Sequence, residues 1–85
     1  MEQELCPLNK LPIGKSGTVS ALTSHADERR RMLDLGLTRG TEVTALQRSP
    51  FGDPIAYFIR GAVIALRTED AGKIWIRIPA ALETR

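Results

Sequence analysis

The chain has 85 residues, 42% hydrophobic and 26% charged, with 12 Lys and Arg against 10 Asp and Glu for a formal net charge of +2. That length suits a single small domain with a core near the lower limit of sufficiency, and so slight a positive balance does not by itself point to nucleic acid. No apolar run approaches the roughly 20 residues of a membrane span, and Met1-Glu2-Gln3-Glu4 is acidic where a secretion signal is basic, so the chain reads as cytoplasmic and not membrane-spanning.

Cys6 is the one cysteine and His25 the one histidine. They exclude an intrachain disulfide and leave no cluster of soft ligands, so no metal or cofactor site is expected. A metal using either residue would have to be shared between subunits.

In chain order, residues 1–7 are polar, end in Pro7 and are expected to be a loose lead-in. Leu8, Leu11 and Ile13, interrupted by Pro12, predict an extended segment covering one end of the core, and Gly14 to Gly17 a turn. Thr18 to Thr23, with Val19, Ala21 and Leu22, predicts the first strand. Ser24 followed three residues later by Asp27 has the form of a capping box and starts a helix near His25. Gly36 stands just past its last apolar residues, at the position where a left-handed residue ends a helix without a Cβ penalty. On a wheel, Ala26, Arg29, Met32 and Leu33 share a face, which puts Leu33 in the core and turns Arg30 and Arg31 outward. Pairs at i, i+3 from Glu28 to Arg31 and from Arg31 to Asp34 offset some of that charge.

Leu37 follows as an apolar anchor. Thr38-Arg39-Gly40-Thr41 reads as a tight turn into a second strand over residues 41–48, with Val43 and Ala45 on one face. Residues 49–54, with Pro50, Gly52 and Pro54, form a connection. Two apolar strands over 55–60 and 62–67 pivot on Gly61, read as central, with Phe58 in the core. Thr68-Glu69-Asp70-Ala71-Gly72 predicts one helical turn with Thr68 as its N-cap. Ile74, Ile76 and Ile78 alternate inward, with Trp75 and Arg77 outward, and residues 79–85 form a tail. About five short strands, one short helix and a late helical turn, with no recurring βαβ spacing, predict a mainly β fold closing as a small barrel.

No catalytic constellation is present. His25 has no nucleophile tied to it, and the acid pairs Asp27-Glu28 and Glu69-Asp70 sit at helix starts, where the helix dipole accounts for them. Neither a phosphate loop nor a dinucleotide fingerprint occurs. Four aromatic residues scattered over three elements do not make a stacking platform for single strands, and no nucleic-acid partner is expected.

The string from Arg30 to Val43, Arg-Arg-Met-Leu-Asp-Leu-Gly-Leu-Thr-Arg-Gly-Thr-Glu-Val, resembles the signature of the FeoA family of small partners of bacterial ferrous iron transport. Leu11-Pro12-Ile13-Gly14, Gly17-Thr18-Val19, Pro50-Phe51-Gly52-Asp53-Pro54-Ile55, Arg60-Gly61 and Ala65-Leu66-Arg67 extend the likeness over residues 8–78. It implies an SH3-like barrel with an inserted helix and a non-enzymatic accessory role in iron homeostasis, exercised on the cytosolic GTP-binding part of the membrane transporter FeoB. Arg30, Arg31 and Arg39 are the candidate contact residues for that partner. The alternative is a free-standing regulatory or adaptor module related to the C-terminal domain of iron-dependent repressors. Two departures stand out: Arg39 replaces a common proline, and Ala62 follows Arg60-Gly61 where an aromatic residue is common.

Overall fold

The structure, a computed structural model, describes residues 3–79. Its strands are β1 (Gln3–Pro7), β2 (Ser16–Leu22), β3 (Glu42–Arg48), β4 (Ile55–Ile59), β5 (Ala62–Leu66) and β6 (Ile74–Pro79), and its helices are α1 (Ala26–Asp34) and the single turn α2 (Thr68–Ala71). One antiparallel sheet in the order β1-β6-β2-β3-β4-β5 curls round the core. Bulges between Val19 and Ala21 and between Ala45 and Gln47 add to its twist.

The core follows from period-two patterning. Val43 and Ala45 of β3, Ile55, Tyr57 and Ile59 of β4, and Ile74, Ile76 and Ile78 of β6 all point inward and are buried. A 3-10 turn over Leu8–Lys10 and α2 stopper one end, with Leu8 and Ala71 fully buried and Asn9 Nδ2 donating to the Thr68 carbonyl at 3.0 Å.

Several expectations change. Gln3–Pro7, expected to be loose, is a strand paired along β6 from Gln3 opposite Pro79 to Pro7 opposite Trp75. Its order comes from that partner, which local sequence does not display. Of the tail expected over residues 79–85, Pro79 instead ends β6, paired with Gln3, while residues 80–85, like residues 1–2, lie outside the described residues. Phe58 is 43% exposed because β4 presents Ile55, Tyr57 and Ile59 inward, leaving Ala56 and Phe58 on the other face. β5, expected to be central, is an edge strand with Val63 65% exposed. Thr68 is the first residue of α2 rather than its cap, and its N–H donates instead to Asp53 Oδ1 at 2.8 Å.

The helix also starts one residue later than the capping box requires. His25 is the N-cap and makes no side-chain cap bond, and Ala26 enters at φ +39°. Ser24 therefore lies too early to reach the first-turn amides. It is buried, and its hydroxyl donates to Met32 Sδ at 3.4 Å.

Candidate functional site

The stretch from Met32 to Thr41 shapes two neighbouring hollows of the surface. Helix α1 ends in a paired closure: the Gly36 N–H donates to the Leu33 carbonyl and the Leu37 N–H to the Met32 carbonyl, both at 3.0 Å. Gly36 sits at φ +99°, where a β-carbon is costly, and a β-carbon there would also stand 2.9 Å from Arg60 Cδ. The closure drives Leu37 fully into the core. A four-residue turn follows, closed by the Thr41 N–H to the Thr38 carbonyl at 3.0 Å with Gly40 at φ +90°, and its tip carries Arg39.

Arg39 stands between two hollows. The larger, about 410 Å³, is walled by the Thr38–Glu42 turn, Thr44, Phe58 and the Arg60-Gly61 turn. The smaller, about 290 Å³, lies between α1 and β2 and is lined by Val19 to Leu22, Arg29, Leu33, Leu37 and Arg39. Leu33 and Phe58 thus supply exposed apolar surface, while Arg29, Arg39 and Arg60 supply charge. None of these three arginines takes part in an ion pair among the described residues. Arg29 Nη1 donates to the Leu22 carbonyl at 3.3 Å, which fixes the guanidinium over the β2 end of the smaller hollow.

Leu33 was expected in the core and is 39% exposed. The helix rests on the barrel along Glu28, Met32 and Leu35 instead, of which Met32 is fully buried. A carboxylate on that stripe is accommodated because Lys73 Nζ reaches both Glu28 oxygens at 3.0 Å. This contact holds the Lys73 ammonium above its ordinary pKa, the hydrogen bond to Glu28 outweighing desolvation. The expected i, i+3 pairs do not form: Glu28 meets Lys73, and Arg31 meets Asp70 of α2 at 3.5 Å.

Of the three candidate contact arginines, the structure places only Arg39 at the hollows. Arg30 and Arg31 are exposed on α1 but line neither. Sequence reasoning missed Arg29, Arg60, Leu33 and Phe58 as surface residues; the inward triplet Ile55, Tyr57, Ile59 was the available signal for Phe58. Gly52 and Gly61, marked as turn positions, have φ of +87° and +83°. His25 is exposed and Cys6 half-buried, and among the described residues no three His, Cys, Asp or Glu side chains group as metal ligands.

A model of the FeoA domain matches residues 6–78. A relative from Porphyromonas gingivalis, an Fe(2+) transport protein A/Fe(2+) transporter FeoB fusion protein, is 31% identical over 71 residues, which is 84% of this chain but 8% of that protein. The chain therefore spans less than a tenth of that relative. The solution structure of FeoA from Chlorobium tepidum is 34% identical, with a TM-score of 0.80 over 87% of this chain and 70% of its own. FeoA from Stenotrophomonas maltophilia, solved with zinc and described as a prokaryotic SH3 domain protein, is 29% identical, with a TM-score of 0.73 over 87% of this chain and 89% of its own. With the match running over residues 6–78 and the barrel shared with these structures, the chain belongs to the FeoA domain family, an SH3-like family of accessory proteins rather than enzymes.

Proposed function

We propose that this chain is an accessory protein of ferrous iron uptake that acts in the cytoplasm by direct contact with the GTP-binding part of a FeoB-like membrane transporter. The observation that carries this reading is the Porphyromonas gingivalis relative, in which the matching segment and a FeoB transporter share one polypeptide. Covalent linkage keeps two modules at high effective concentration, and a separate chain must achieve the same encounter through a docking surface. Among the described residues no helix is long and apolar enough to cross a membrane.

The two hollows beside Arg39 have the anatomy of such a contact. Leu33 and Phe58 provide apolar anchors, and Arg29, Arg39 and Arg60 form a cationic rim free of described ion pairs. Apolar anchors inside a polar rim are the usual division between affinity and steering at an interface. Arg30 and Arg31 extend the positive charge along α1 and contribute to steering rather than to the centre of the contact.

The test is calorimetric titration of the purified chain into the transporter's GTP-binding domain, paired with iron uptake in cells lacking the chain. The expected results are saturable binding that weakens as salt rises and reduced uptake restored by the wild-type chain. Absence of binding at low salt together with unchanged uptake would remove the reading.

A further inference from the structure

A second surface, adjoining the larger hollow through Phe58 and the Arg60-Gly61 turn, has its own chemistry. β5 is the last strand of the open sheet, and β4 is its neighbour on one side only. The two are joined by a two-residue turn, Arg60-Gly61, with φ of +51° and +83°, so Ile59 and Ala62 form the hydrogen-bonded closing pair. Alternation from that pair turns the N–H and C=O groups of Val63 and Ala65 away from β4. No backbone bond outside the ladder engages either residue among the described residues.

Unpaired edges are normally blunted by charge, proline, a bulge or cover. The opposite edge, β1, carries Glu4 and ends in Pro7. Among the described residues β5 has none of these devices: it reads Ala-Val-Ile-Ala-Leu, its pairing with β4 is regular throughout, and Val63 is 65% exposed beside the exposed ring of its cross-strand neighbour Phe58.

Charge decides what fits. Between Tyr57 and Thr68 the charged residues are Arg60 and Arg67, seven positions apart at either end of the strand, with no carboxylate between them. Arg67 is 74% exposed and only loosely engaged by Asp53 at 3.8 Å. A second copy pairing antiparallel about Ile64 would satisfy the same backbone groups, but it would set Arg60 of one copy opposite Thr68 of the other, one position from Arg67, and so gather like charges at both ends of the seam, which opposes association. We propose that the β5 edge docks an extended segment of another protein, a short apolar run bracketed by carboxylates, which adds to the sheet beside β5. The main-chain bonds of Val63 and Ala65 supply affinity, Val63 and Phe58 receive the apolar side chains, and the terminal arginines select the acidic ends.

This surface shares Phe58 and Arg60 with the transporter reading but does not rest on it, and its test uses no transporter. The probe is an acetylated and amidated octapeptide, Glu-Thr-Val-Thr-Val-Thr-Val-Glu, beside the same peptide with lysine at both ends, each titrated into isotope-labelled protein. The acidic peptide is expected to shift residues 60–67 and slow amide exchange at Val63 and Ala65, with the lysine peptide at least about threefold weaker at low salt and the gap closing as salt rises. Ala65→Pro removes an outward N–H without touching the β4 ladder, and Val63→Asp keeps the backbone but opposes the acidic ends; both are expected to fold and to lose most of the binding. Unshifted Val63 and Ala65 amides, equal binding of the two peptides, full binding by the folded variants, or concentration-dependent protection of these amides without peptide would each overturn the proposal, the last in favour of self-pairing.

Discussion

Met32 and Leu33 are adjacent, similar in size and equally apolar, yet one is fully buried and the other forms the wall of a surface hollow. Tyr57 and Phe58 repeat the division on β4, the phenol inside and the phenyl outside. In both pairs the inner residue belongs to the barrel and the outer one to the surface available to a partner. Burial in so small a fold is thus assigned residue by residue by the phase of each element, and apolar character alone does not reveal which side is scaffold.

Truncating each member of the helix pair separates the two roles most widely. Met32→Ala is expected to cost about 2 to 5 kcal/mol, the range for emptying a packed core site. Leu33→Ala, already well exposed, is expected to cost about 1 kcal/mol or less. Urea unfolding of the two variants checks this, and equal losses would place Leu33 in the core after all.

The strand pair gives a pH test. Burial, partly offset by Arg48, pushes the Tyr57 phenol up from 10.0 to about 12, and its hydroxyl donates to the Leu8 carbonyl at 3.4 Å. Because the folded state holds this proton more tightly than the unfolded chain, the stabilisation is complete below pH 10 and is lost as pH rises towards 12. A shift of that size corresponds to about 2 to 3 kcal/mol. Melting followed across that window is expected to show a steeper decline for the wild type than for Tyr57→Phe, whereas Phe58→Ala leaves the pH dependence unchanged.

Gly36→Val is expected to cost about 1 to 2 kcal/mol or more, since a β-branched residue at φ +99° is strained and the side chain of Arg60 must also move. The smallest stability effect is expected at the rim. Arg29→Glu and Arg39→Glu are expected to lie within about 0.5 kcal/mol of the wild type by thermal melting, because neither is in a described ion pair.

Features governed by local chemistry were legible in the sequence. The inward isoleucines of β6, the Gly36 closure and the Arg60-Gly61 pivot all stand in the structure where their patterns placed them. What failed to show depends on partners distant in the chain. β1 is ordered by β6, more than 60 positions away, and Thr68 is capped by Asp53 rather than by its own neighbourhood. The helix phase is hidden in the sequence because Glu28 looks like a solvent residue until Lys73 is placed beside it. The candidate site was legible only at Arg39: the run Arg29-Arg30-Arg31 drew attention to α1 without showing that Arg29 faces a hollow while Arg31 turns to Asp70.

Docking through the hollows is tested by titrating the transporter's GTP-binding domain with the Leu33→Ser/Arg39→Glu double variant, read beside its circular dichroism spectrum. These residues meet at the smaller hollow and lie outside the packed core. A folded variant whose affinity falls at least about tenfold is expected, as loss of an apolar anchor and reversal of a rim charge together imply. A folded variant that binds with wild-type affinity would contradict docking through the hollows.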